Sequence, residues 1–192
     1  MKMSGGSASI ESASSSSLAD ARAVLLEMLG LAALGALAVA VHALTRGRFE
    51  LGPGHQGLTW MALVMLGRMA SHLPWAGVTT ATGAVAATML PIGRLGDPFL
   101  WVSYLAAGML VDLGYASVVR SHRTLWLIAL VGGVAHATKP LIRSIIQLGG
   151  WHYESLLAGV PYPAASHFLF GAAGAAIGAS LVAARRRRTS AK

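Results

Sequence analysis

Residues 21–44 read ARAVLLEMLGLAALGALAVAVHAL. Only Arg22 and Glu27 are charged in this stretch, and it exceeds the roughly 20 mostly apolar helical residues needed to cross a bilayer core about 30 Å thick. Five further windows of this kind follow, at about 57–73, 75–92, 98–119, 124–148 and 164–184. Their apolar runs are long and rich in Ala and Leu, unlike the alternating strands of about 10 residues that build a membrane barrel. The second and third windows are short and divided only by His72-Leu73-Pro74, which leaves a single re-entrant feature open. The pattern predicts an all-α integral membrane protein, a bundle of about six transmembrane helices.

Composition argues the same way. The 192 residues include 15 Lys or Arg and 7 Asp or Glu, so 11% are charged, against roughly 25% for a soluble domain. Hydrophobic residues make up 55% and the mean hydropathy is +0.61, too apolar to cover a water-soluble globule of this size. A soluble enzyme domain is thereby disfavoured. The chain has no Cys, so it has neither a disulfide framework nor a thiolate nucleophile nor a Cys-ligated metal. The net charge of +8 is concentrated in part in the run Arg185 to Arg188, which in so apolar a chain reads as a cytoplasmic marker and not as a nucleic-acid surface.

The first 20 residues are rich in Ser and Gly with almost no bulky side chain before Leu18, the composition of a disordered tail. The expected organisation is a tail at 1–20, a six-helix membrane domain at 21–184 and a basic cytoplasmic tail at 185–192. A secretory signal peptide is the rival reading of the N-terminus, since the first apolar stretch contains the small residues Ala38-Val39-Ala40. The long polar leader and Glu27 speak against it. Placing both termini in the cytoplasm puts Lys2, Arg22, Arg68, Arg120, Arg123, Arg185 to Arg188 and Lys192 inside, 10 of the 15 cations. Arg46, Arg48, Arg94, Lys139 and Arg143 remain outside, so the positive-inside bias favours this orientation in a bacterial inner membrane.

Ionisable groups within spans are expensive and therefore informative. Asp112 and Arg68 fall at mid-membrane or deeper and are each other's natural partner as a buried ion pair. Glu27 lies near the inner end of the first helix and is expected to reach the interface. On the fifth helix His136, Lys139 and Arg143 stand at i, i+3 and i+7, on one face near the outer end, with Pro140 beside them to remove a backbone donor. That face suits an anionic ligand, and snorkelling of the two cations to outer headgroups is the open alternative. His42, His55, His136, His152 and His167 map to the outer half together with Trp60, Trp101, Tyr104, Trp151 and Tyr153. Such aromatics form interfacial belts; combined with the histidines they outline an outward pocket for a small planar ligand, under a loop carrying Gly52-Pro53-Gly54. Small residues recur at four-residue spacing, Ala32, Ala36 and Ala40 on the first helix and Gly174 and Gly178 on the last, which permits close helix approach.

Six spans, both ends inside, the Ala32, Ala36 and Ala40 face and the outward pocket together resemble the substrate-binding S component of energy-coupling factor transporters over nearly the whole chain. The resemblance implies a membrane protein that captures a vitamin or related micronutrient without converting it, docks through that alanine face on a transmembrane coupling subunit powered by two ATPase subunits, and topples to release its cargo inward. No G-x-x-x-x-G-K-[ST] is present, so this chain itself carries no phosphate-binding loop. Candidate substrate contacts are His55, Trp60, Trp101, Tyr104, His136, Lys139, Arg143 and His167. No cofactor is expected, and no catalytic residue. The nickel and cobalt members use an N-terminal Met-His segment that is absent here, although His42, His55 and His167 offer imidazoles. Two alternatives differ in class. The element Pro161-Tyr162-Pro163-Ala164-Ala165-Ser166-His167 looks distantly like the Pro-Ser-Gly-His element of membrane lipid phosphatases, without its Gly and without a second His downstream. A structural or assembly membrane protein with no ligand is the other.

Overall fold

A computed structural model describes residues 7–45, 53–90, 97–119, 124–157 and 159–190, with side chains placed from Leu18 onward and not at 118–119. Among them every regular element is helical. We label α1 (Ser7–Thr45), α2 (Gly57–Ala70), α3 (Ala76–Thr88), α4 (Leu100–Gly114, continued by a π turn Tyr115–Val119), α5 (Leu125–Leu148) and α6 (Pro161–Ser190). Three segments are long and apolar enough to cross a membrane, Leu18–Thr45, Leu125–Leu148 and Pro161–Ser190. The middle helices are shorter than the windows predicted: α2, α3 and α4 have 14, 13 and 15 residues, about 20 to 23 Å at about 1.5 Å per residue. Windows two and three are two separate helices, broken at 71–75, where Pro74 keeps Leu73 out of the α region. At the N-terminus α1 begins at Ser7, inside the segment expected to be disordered; extending a nucleated helix through Ser and Ala costs only weak propensity terms. The basic segment at 185–190 likewise continues α6.

Small residues decide how closely the helices approach. A Cβ on Gly83 would lie 2.5 Å from the Ala32 Cα, and one on Gly35 only 1.8 Å from the Thr80 carbonyl oxygen, so α1 and α3 meet backbone to backbone. The Ala32 and Ala36 face is therefore packed, at least in part, within the chain: Ala32 abuts Gly83, Ala36 packs on the core and Ala40 is half-buried. Gly171 of α6 abuts His136 and Gly132 of α5, while Gly132 abuts Ala175, which makes α5 and α6 antiparallel. Gly178 abuts Ala62 and Gly174 abuts Leu58, so α2 runs parallel to α6. Between these contacts Val39, Met61, Val64, Met65 and Val111 fill a fully buried core. Close backbones multiply dispersion contacts, the main attraction available where water supplies none.

Three ionisable side chains serve a single turn, the one joining α2 to α3. Glu27 of α1 accepts from the Ser71 hydroxyl and, at 2.9 Å, from the His72 N–H. Arg68 donates to the Leu73 carbonyl. Asp112 of α4 accepts from the Gly77 and Val78 N–H groups at 2.8 and 2.9 Å, capping the first turn of α3 where N–H groups otherwise lack partners. Arg68 also lies 3.6 Å from Asp112, with its guanidinium over the Tyr115 ring. Glu27 thereby ties α1 to this turn. Arg186 of α6 reaches the same end, donating to the Met69 carbonyl.

Candidate functional site

The opposite end of the bundle is built around a loop that only glycine can make. Gly54 has φ +84°, a left-handed value that favours glycine, and a Cβ there would sit 2.7 Å from the His167 ring. Its carbonyl accepts from the Gly57 N–H at 2.8 Å, which starts α2. The same carbonyl lies 3.3 Å from His136 Nε2, and the Pro53 carbonyl accepts from the Ser166 hydroxyl. The loop is thus fastened across the tops of α5 and α6. A carbonyl only accepts, so His136 carries its proton on Nε2. By the same reasoning His167 carries one on Nδ1, which lies 2.8 Å from the Pro163 carbonyl. In the neutral imidazoles the remaining nitrogens are acceptors. The two rings stack with centroids 4.9 Å apart.

Two adjoining cavities lie beneath the loop. The inner one, about 60 Å³, is walled by Trp60 and Tyr104, whose rings meet edge to face at 4.6 Å, and by His42, His55, His136 and Lys139. The outer one, about 220 Å³, is bounded by Asp97, Arg143, Ser155, His167 and again His55 and Lys139. Lys139 faces both, half-buried. No hydrogen bond joins its ammonium to another described residue. Pro140 follows it within α5, fully buried, and has no N–H to offer the His136 carbonyl one turn earlier; its own carbonyl accepts from the Ser144 hydroxyl at 2.8 Å.

Arg143 is held differently. It donates to Asp97 Oδ2 from Nη2 at 2.7 Å and from Nε at 3.1 Å. The other Asp97 oxygen accepts from the Tyr153 hydroxyl at 3.2 Å and from the Phe99 N–H at 3.0 Å. Arg143 also lies over the Tyr153 ring, and Phe99 meets Trp151 edge to face. This clamp draws the start of α4, the end of α5 and the segment 151–157 over the outer cavity. Burial first, and the Asp97 carboxylate second, push the Tyr153 phenol from 10.0 up to about 12.

Of the eight residues predicted to contact substrate, His55, Trp60, Tyr104, His136, Lys139, Arg143 and His167 surround these cavities. Trp101 does not: it is 43% exposed and lines neither, because it leads into α4 one position from the buried Leu100 and faces outward. His42, placed in the outer half by sequence though not among the eight contacts, lines both cavities, and sequence reasoning missed Gln56, Asp97 and Ser103. Asp97 follows Gly96 at the foot of α4 and carried no periodic signal; its membership in the site depends on a pairing with Arg143 across 46 positions. Among the described residues no cluster of three or more His, Asp or Glu could hold a metal ion, so His42, His55 and His167 are not gathered into one.

No protein-family description, curated protein or solved structure matches this chain.

Proposed function

We propose that this chain is a membrane-embedded capture protein for a small polar molecule, acting as the substrate-binding subunit of an energy-coupling factor type importer. The observation that carries this reading is Lys139. It is a half-buried cation without a hydrogen-bond partner among the described residues, at the junction of an aromatic-walled cavity and a polar one. An aromatic wall holds a planar ring by stacking, and an ammonium beside it favours a ligand bearing a carboxylate or phosphate. Because Asp97 already pairs with Arg143, Lys139 is assigned the ligand's charge and Arg143 the closure of the site. The long segments Leu18–Thr45, Leu125–Leu148 and Pro161–Ser190 support a bilayer location, and the basic end of α6 supports cytoplasmic termini. The coupling and ATPase subunits belong to the same proposal.

Native mass spectrometry after gentle detergent extraction tests it directly. The expected spectrum shows a stoichiometric small molecule that is lost in Lys139→Ala. A ligand-free spectrum in every preparation, with unchanged thermal stability on adding candidate anionic micronutrients, would overturn the reading.

A further inference from the structure

We propose that the groove between the C-terminal halves of α2 and α6 binds an anionic phospholipid. The groove, about 610 Å³, is walled by Leu66, Leu181 and Val182 and ends at His72, Arg185 and Arg186. Arg186 is fixed there by its 2.9 Å hydrogen bond to the Met69 carbonyl, which also satisfies one of the free carbonyls at the end of α2. Arg186 is therefore positioned by a side-chain bond, and Arg185 stands beside it on the same regular helix and not in an irregular tail. Away from them exposed Leu181 and, one turn earlier, Ile177 extend the apolar surface along α6. An acidic head and an apolar tail fit this sequence of surfaces in order: phosphate against the two guanidiniums, acyl chains along the leucines. An acidic protein would match the arginines without a use for the apolar stripe, and a free phosphate would match neither wall.

The site rests on the membrane location proposed above and is independent of the ligand at the other end. Its test is native mass spectrometry of the full chain in detergent with equal amounts of phosphatidylglycerol and phosphatidylcholine. The expected result is retention of phosphatidylglycerol in about thirtyfold preference, the effect of two arginines near a lipid phosphate. Arg185→Ser/Arg186→Ser should abolish that preference, whereas Arg22→Ser/Arg188→Ser, with the same loss of charge, should keep it. Leu181→Trp, which fills the groove without changing charge, should also abolish it. Equal losses in the two double variants would reduce the effect to bulk attraction and overturn the site. So would unchanged binding in Leu181→Trp, or complete displacement of the lipid by inorganic phosphate. Release of the protein from membranes by alkaline carbonate would instead refute the membrane location; an integral protein without lipid preference refutes the groove alone.

Discussion

Lys139 and Arg143 stand one helical turn apart and look interchangeable in sequence, yet their partners give them different work. Arg143→Ala would leave Asp97 and its neighbours without their cation, and a half-buried charge stripped of its partner costs about 2 kcal/mol or more. Lys139→Ala removes a cation with no hydrogen-bonded partner, so its expected effect on stability is within about 0.5 kcal/mol. Thermal unfolding of the two variants in detergent should separate them, and equal melting temperatures would contradict the division. Tyr153 in the same clamp gives a pH prediction. Its folded phenol ionises at about 12 against 10.0 in the unfolded chain. Its contribution is therefore intact below pH 10 and lost as pH rises through about 12. An absorbance titration of wild type minus Tyr153→Phe should show no ionisation until well past pH 10; a transition at pH 10 would mean the clamp is open in solution.

At the scale of the element, most of the six helices were legible because long Ala- and Leu-rich runs have one stable use. Their lengths were less so. The end of α2 depends on Pro74 and on Glu27 from another helix, and the start of α3 on Asp112 from a third, so neither boundary is written locally. Composition supplied the apolar windows; partners distant in sequence supplied the caps. Asp112→Ala removes both acceptors from the first turn of α3 and leaves Arg68, 7% exposed, without its counter-charge. The expected destabilisation is about 3–5 kcal/mol. Replacing the pair with Arg68→Met/Asp112→Leu should recover part of that loss, and a double variant no better than the single would mean the caps matter more than the charges. A second element-scale test concerns Gly178, where any Cβ would lie 2.2 Å from the Ala62 carbonyl oxygen. Gly178→Leu forces α2 and α6 apart and should cost about 3 kcal/mol or more, read as a lower melting temperature, whereas Gly30→Leu, with nothing within 4 Å, should be tolerated.

For the molecule as a whole, the two ends of the bundle have opposite chemistry. One gathers the cavities, the glycine loop and the Asp97 clamp; the other gathers Glu27, the Arg68–Asp112 pair and the arginines of α6. Helices α2 and α3 are shorter than a bilayer core, so a membrane orientation places their connecting turn below the headgroups. Backbone at that depth must be satisfied by protein, and this turn is: His72, Leu73, Gly77 and Val78 all find acceptors or donors in Glu27, Arg68, Ser71 and Asp112. The charges that a membrane should exclude thus permit a turn that a membrane should also exclude. The orientation proposed from the basic end can be tested cleanly, since a chain without Cys makes each introduced thiol unique. His152→Cys and Glu154→Cys, both exposed beside the cavities, should react with an impermeant maleimide on intact cells. Thr124→Cys and Ser190→Cys, exposed at the basic end, should react only after permeabilisation. Reversed labelling would invert the protein and place its cavities in the cytoplasm, where they could not capture an external ligand. Labelling of Thr124→Cys and Ser190→Cys from opposite sides would require an odd number of crossings after α4, which the antiparallel packing of α5 on α6 does not allow.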